Sequence, residues 1–260
     1  MTMRRLRDRL FSSPRRRTPQ VPEVVKPEVP QDFSAVDAEL LREVQPFTMT
    51  SQERVFHLAR AVEYVIRNRL SGSIVECGVW RGGSMMCVAL TLLRLGVTDV
   101  DLYLFDTFEG MPEPEALDRR HDGRPASQVL AESSRDSWNW AYAGLDEVRQ
   151  NLRRTGYPEE RTHFIKGRVE DTIPQHAPDE IALLRLDTDW YSSTHHELVH
   201  LYPRLQVNGV LVIDDYGWWQ GARQAVDEYF GRLALSPLLH RLDETGRACT
   251  KPVTSAGTHE

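Results

Sequence analysis

Along most of this chain, short runs of consecutive apolar residues alternate with stretches of three- and four-residue periodicity. SIVEC (73–77), LYLFD (102–106), HFIKG (163–167), IALLRLD (181–187) and VLVID (210–214) are of strand length and almost continuously apolar, the pattern of strands covered on both faces. Helical patterns lie between them. Val55, Leu58, Ala59, Val62, Val65, Ile66 and Leu70 recur at helical steps over 51–70, with Thr50 or Ser51 as N-cap. MMCVALTLLRL (85–95) stops at Gly96, and 145–154 and 195–205 read as two further helices. SAVDAELLREV (34–44) opens the ordered part of the chain. Apolar strands alternating with helices predict an α/β domain on a parallel, doubly wound sheet.

Polar residues gather where these strands end: Glu76 to Gly83, Asp106, Arg168 to Asp171, Asp187 with Asp189, and Asp214 to Gly217. Open α/β sheets bind ligands beyond the carboxyl ends of their strands, where strand order reverses, so one shared crevice is expected. The segment 111–144, containing EPEALDRRHDG and SWNWAY, is longer than an ordinary βα connection and too weakly periodic for a helix pair. Such a segment reads as a lid or substrate loop.

Composition narrows the class. With 40% hydrophobic and 27% charged residues in a chain of 260, this is a globular protein. No window is apolar over the roughly 18 residues that a membrane-spanning helix needs. The first twenty residues lack the apolar core of a secretory signal, and a cytoplasmic location is expected. Cys77, Cys87 and Cys249 stand far apart with no CxxC pair, which suggests neither a disulfide framework nor a structural zinc site. Residues 1–17 carry seven Arg against one Asp, and 14–30 hold five prolines. Residues 1–33 are therefore expected to be a disordered Arg/Pro-rich tail and linker ahead of a folded domain at 34–260. Since the net charge is −6, that domain is the more acidic part, and specific nucleic-acid binding is not expected of it.

Two constellations carry chemistry. ECGVWRGGS (76–84) places Gly78, Gly82 and Gly83 between a strand and a helix, where glycine lets the backbone approach a ligand. Its G-x-x-x-G-G spacing matches neither the dinucleotide nor the P-loop fingerprint. Glu76 would repel a pyrophosphate but suits the ammonium of an amino-acid-like ligand, and S-adenosylmethionine has that ammonium. Asp106, ending the second strand of the same βαβ unit, is placed to accept ribose hydroxyls. The second constellation is LRLDTDWYSST (184–194) with VIDDYG (212–217). Carboxylates of Asp187, Asp189, Asp214 and Asp215 gathered in one crevice would raise one another's pKa unless a cation neutralised them, and all-oxygen ligands favour Mg²⁺ or Ca²⁺ over zinc. His196 and His200 are one helical turn apart but have no third ligand at suitable spacing, and polar-face histidines are the simpler reading. Trp218 and Trp219, with Trp138 and Trp140 from the lid, are candidates for lining a sugar pocket or for core packing. Two other functions compete. Asp187-Thr188-Asp189 could be the metal-binding D-x-D of a glycosyltransferase, which leaves the glycine turn unexplained, or the chain could be a non-enzymatic S-adenosylmethionine-binding protein acting through its basic tail.

IVECGVWRGGSM, LFDTFEGMPEP, LDEVRQNLRRTGYPEERTHFIKGRVEDTIP, LLRLDTDWYSSTHHEL and LYPRLQVNGVLVIDDYGWWQGARQAVDEYF are five blocks in an order that resembles the macrocin O-methyltransferase family, which methylates sugar hydroxyls of macrolides and related glycosylated natural products. The resemblance runs from about residue 45 to about 252. It implies a class I methyltransferase (Rossmann-like) fold, mostly parallel with an antiparallel last strand, closed by HRLDETGRACTKP (240–252). It implies that Glu76, Gly78 and Gly82 contact S-adenosylmethionine, Asp106 its ribose, and Val169 with Glu170 its adenine. It further implies that Asp187, Asp214 and Asp215 hold Mg²⁺, with Asp187 as general base and Asp189 as the second candidate. The expected partner is a glycosylated small-molecule or glycolipid acceptor, and the helices between Ser34 and Leu70 are candidates for the contact in a homo-oligomer.

Overall fold

In the computed structural model, which describes residues 29–135 and 137–253, the five apolar runs become parallel strands of one sheet. They are β1 (Ser73–Cys77), β2 (Leu102–Asp106), β3 (Thr162–Lys166), β4 (Ile181–Leu186) and β5 (Leu205–Ile213). Two short strands, β6 (His240–Arg241) and β7 (Arg247–Thr250), complete a seven-stranded sheet of order β3-β2-β1-β4-β5-β7-β6, in which β7 runs antiparallel to β5. The expected mostly parallel sheet with its closing hairpin is what forms. Residues 1–28 of the expected tail lie outside the described residues.

Each buried strand alternates between two apolar layers, as a pleated strand covered on both faces must. Ile74, Leu102, Leu104, Leu183 and Val212 pack under α1 (Ala35–Val44), α2 (Gln52–Arg67), α3 (Gly83–Arg94) and, beyond α4 (Ala126–Ala131), α5 (Leu145–Arg153). Val75, Phe105, Leu184, Leu186, Leu211 and Ile213 pack against α6 (Val169–Thr172), α7 (Tyr191–Leu201) and α8 (Gln220–Arg232). Local chemistry sets the helix starts. Ser34 and Asp37 form a reciprocal capping box on α1, and the Ser51 hydroxyl accepts from the Arg54 amide at 3.2 Å to cap α2.

Three elements depart from expectation. The helix read over 195–205 is α7, which begins at Tyr191, because the Asp118 carboxylate accepts the Tyr191 N–H at 2.8 Å, and gives way to a 3₁₀ turn containing Pro203. β5 starts at Leu205, five residues early. Exposed Val207 and Asn208, the latter at φ +64°, conceal this part of the strand in the sequence. α8 has no counterpart among the expected helices, since Gly221, Ala222, Ala225 and Gly231 dilute its apolar stripe. The segment 111–144 contains α4 and a 3₁₀ turn at Trp138–Trp140, and it docks through Ala126, Val129 and Leu130 on Trp190, Trp219 and Ala222.

Candidate active site

The strand order reverses between β1 and β4, and a cavity of about 350 Å³ opens beyond the carboxyl ends of the strands there. Gly78, Asp106, Val169 and Glu170 line it from β1, β2 and the turn after β3, and Asp187, Asp189, Asp214 and Asp215 line it from β4 and β5. The glycine turn and the aspartates thus share one cleft. Their closeness has a steric requirement. Gly78 adopts φ +82°, and a β-carbon added to it would stand 1.8 Å from the carbonyl oxygen of Asp187, so only glycine lets β1 and β4 end side by side.

Toward β2, Asp106 organises the turn. One oxygen accepts the amides of Val79 (2.6 Å) and Trp80 (3.1 Å), and the other accepts the amide of Phe108 (2.6 Å). Burial raises its pKa against the pull of these three amides. Val169 is buried at the start of α6, and the half-buried Glu170 pairs with Arg168 at 3.2 Å. Two residues expected to contact the cofactor do not line the cavity. Glu76 is 1% exposed and points beneath the floor, where Arg185 Nη1 meets its Oε1 at 2.6 Å. Gly82 serves packing: it caps α3 at φ +89°, and a β-carbon there would press on Leu152 at 2.7 Å.

Toward β5 the carboxylates crowd. Asp187, Asp214 and Asp215 each bring an oxygen to a common spot, all within 4.8 Å of one another. The Asp189 and Asp215 carboxyls are hydrogen-bonded to each other, the Asp189 amide donates to Asp215 Oδ2 at 3.2 Å, and Trp219 Nε1 donates to Asp189 Oδ1 at 2.5 Å. Asp189 is itself in the left-handed region, φ +67°, which turns its side chain into the cleft group. Arg185 Nη2 lies 2.7 Å from Asp187 and 2.6 Å from Asp214, whose second oxygen is taken by Arg54. Arg54 also meets Asp243 of the closing hairpin at 2.8 Å.

Two guanidiniums do not balance five carboxylates. Burial pushes Glu76 up to about 8 despite Arg185. Burial raises Asp187 to about 6, with Arg185 opposing and Asp214 adding to the rise. Burial with Asp187 beside it lifts Asp189 to about 7, and burial with Asp189, Asp187 and Asp214 around it holds Asp215 well above the usual carboxylate range. Hard oxygen donors converging from three residues, in a site with surplus negative charge, fit a divalent cation of the Mg²⁺ type.

Around this centre, Trp138, Trp218 and Trp219 line the cavity, and Trp140 packs against the apolar cluster of Ala126, Val129, Leu130, Trp190 and Trp219. His196 Nε2 donates to Ile173 O at 2.9 Å, and its ring lies tilted against that of His200 with centroids 4.4 Å apart.

A family model described as macrocin-O-methyltransferase (TylF) matches residues 8–251. The chain belongs to the macrocin-O-methyltransferase family. It is 36% identical over 203 residues to the 8-demethyl-8-(2,3-dimethoxy-alpha-L-rhamnosyl)-tetracenomycin-C 4'-O-methyltransferase of Streptomyces olivaceus, a match spanning 76% of this chain and 73% of that protein. It is 32% identical over 202 residues to the mycinamicin III 3''-O-methyltransferase of Micromonospora griseorubida, covering 76% of each. The solved structure of the O-methyltransferase NovP superposes with a TM-score of 0.70 at 32% identity, over 79% of this chain and 82% of that one. CalS11, a calicheamicin methyltransferase, shares the fold at TM-score 0.53 and 17% identity, over 86% of this chain and 94% of that one.

As a macrocin-O-methyltransferase family member of class I fold, the chain is an S-adenosylmethionine-dependent O-methyltransferase, and the glycosyltransferase reading of the Asp187-Thr188-Asp189 segment falls. Arg54, Arg185 and Glu197 escaped the sequence reading of this family member's site. Arg185 hides inside an apolar run, although a charge in a strand covered on both faces needs a partner, and Glu76 is its register neighbour on β1. Glu197 on α7 is fully buried and accepts from Thr188 Oγ1 at 2.9 Å, and nothing in the helical pattern marks it.

Proposed function

We propose that this enzyme methylates a sugar hydroxyl of a glycosylated small molecule or glycolipid, with Mg²⁺ held by Asp187, Asp214 and Asp215. One observation carries this reading: the glycine turn at Gly78 and the four aspartates line a single cleft, nucleoside groups toward β2 and acid groups toward β5. The names of two relatives, which specify hydroxyl positions on sugar-bearing natural products, support the acceptor class.

When bound, S-adenosylmethionine supplies an electrophilic methyl group and the cation supplies Lewis acidity that makes an alcohol hydroxyl easier to deprotonate. The chain's own residues do the rest. Asp106 keeps the Val79 and Trp80 amides in place, which shapes the turn against the ribose, while Val169 and Glu170 border the adenine side. Asp189 takes the acceptor's proton on its carboxylate. The Trp219 N–H fixes one of its oxygens, so the group is held in one orientation before the acceptor arrives. Asp187 is the alternative base, but Arg185 already engages one of its oxygens and metal binding would engage the other. Arg185, buried beneath the cluster, positions Asp187 and Asp214 together. The lid segment 111–144 roofs the cleft with Met111, Pro112, Trp138 and Asn139, limiting water at the reacting oxygen.

The methyltransferase domain is taken to span 34–260 and to act in the cytoplasm as a homo-oligomer contacting through α1 and α2, which sedimentation of the intact chain checks. The decisive experiment is methyl transfer from labelled S-adenosylmethionine to a panel of deoxysugar glycosides, with Mg²⁺ or with excess chelator. Transfer to glycosides and not to free phenols, abolished by chelator and restored by Mg²⁺, is expected. Full activity in chelator would overturn the metal assignment, and transfer to phenols alone would overturn the acceptor class.

A further inference from the structure

Five of the six tryptophans cluster in or behind the acceptor side of the cavity, and they are fastened differently. Trp140, Trp190 and Trp219 give their indole N–H to Ser133 O (3.3 Å), Pro112 O (3.1 Å) and Asp189 Oδ1 (2.5 Å). Trp138 and Trp218 line the cavity, yet among the described residues neither indole N–H has a protein partner. Their ring centroids stand 6.4 Å apart at 58°, and His121 extends the row at 4.9 Å from Trp218. Trp138 is 58% exposed.

An indole left this open forfeits the burial that ordinarily stabilises so large an apolar side chain, and a polar residue would hold a loop tip as well. The placement explains the exposure. Trp218 adjoins in sequence Trp219, whose N–H orients Asp189, and the paired rings of Trp218 and Trp138 line the same cavity as Asp189. A substituent on a sugar whose hydroxyl sits at Asp189 shares one cavity with these rings. The tilted pair at 6.4 Å leaves no slot for a ring between them, so a ligand ring lies on the open face of Trp138 rather than intercalated. A flat, unsaturated ring gains from offset stacking on an indole face beyond the area it buries.

Resting on the sugar O-methyltransferase reading above, we propose that Trp138 and Trp218 form a shelf for a planar aromatic ring carried by the acceptor beside its methylated sugar. The test compares p-nitrophenyl and methyl α-L-rhamnopyranoside, which share a sugar and differ only in the attached group, by calorimetric titration of the full chain saturated with S-adenosylhomocysteine and Mg²⁺. The nitrophenyl glycoside binds about tenfold tighter in the wild type, Trp138→Ala cuts that ratio below about threefold, and Trp138→Phe restores most of it. An unchanged S-adenosylhomocysteine affinity in Trp138→Ala certifies the fold. Equal affinities in the wild type, or a ratio that survives Trp138→Ala, overturn the shelf while leaving the sugar reading intact. So does an unaltered ratio accompanied by a smaller sedimenting species, which would assign the indole to a contact with a second copy of the chain. If neither glycoside binds although S-adenosylhomocysteine does, the sugar reading fails and the shelf with it.

Discussion

Arg185 stands in an otherwise apolar strand with its guanidinium 2.6 to 2.7 Å from Glu76, Asp187 and Asp214. Removing a buried charge leaves its partners uncompensated in low dielectric, where each ion loses water and gains nothing in return. Arg185→Met is expected to lower unfolding free energy by about 3–5 kcal/mol in urea titration, while Glu76→Gln costs clearly less because it keeps a hydrogen-bond acceptor for Arg185 and removes a charge that burial already disfavours. Asp189→Asn tests the chemistry separately. It keeps the Trp219 contact and the shape of the site but cannot accept the acceptor's proton, so turnover should fall by about 10²–10⁴ with S-adenosylhomocysteine affinity unchanged. A near-normal turnover would move the base to Asp187. At this scale the four aspartates were legible in the sequence because each follows an apolar run, where a strand ends and solvent or ligand begins. Arg185 was not, because its partners appear only once β1 and β4 are neighbours and Glu76 falls in register with it. The pairing of Glu76 was hidden for the same reason: its charge suits a ligand's ammonium, and the guanidinium of Arg185 comes to it only when β1 and β4 are neighbours.

Among the elements, the turn from β1 into α3 imposes the strictest local condition. Gly78 has both a left-handed φ and a β4 backbone within clashing distance, whereas Gly96 at φ +72° after α3 has open space around its α-carbon. Alanine at Gly96 carries only the left-handed penalty, about 1–2 kcal/mol. Alanine at Gly78 adds overpacking against backbone that cannot move without pulling Asp187 from the cluster, so a loss exceeding that of Gly96→Ala by about 1–3 kcal/mol is expected in matched denaturation curves. Equal losses would mean that the two strand ends separate easily. The five parallel strands were readable because double coverage makes each a compact apolar run. The N-terminal half of β5, with exposed Val207 and Asn208, carries no such signal, and α8 trades its stripe for the small residues that let it lie close to α7. Gly82 could not be told from Gly78 by spacing, since one meets α5 and the other meets β4, a distinction that exists only in three dimensions.

For the whole molecule, doubly wound topology concentrates charge. Reversal of strand order between β1 and β4 brings the ends of five strands to one opening, and sets five carboxylates in or beneath it against Arg54 and Arg185. The resulting repulsion is a cost to the empty fold that a bound cation would relieve, so cation binding and folding are linked even without substrate. A ligand at a hundredfold excess over its Kd stabilises by about 2.7 kcal/mol. Spread over a domain of this size, at about 2–4 °C per kcal/mol, that predicts a rise in Tm of about 5–10 °C on adding saturating Mg²⁺ to chelator-treated enzyme. Asp215→Asn separates the linkage from any general salt effect. It deletes one of the three converging oxygens' charge while preserving size, so the metal-free variant should melt no lower than the wild type and should no longer respond to Mg²⁺, though it would still respond to S-adenosylhomocysteine from the β2 side of the cleft. A Mg²⁺-induced rise of equal size in wild type and variant would place the cation elsewhere. A wild type indifferent to Mg²⁺ would mean that Arg54 and Arg185 already supply all the positive charge the cluster accepts.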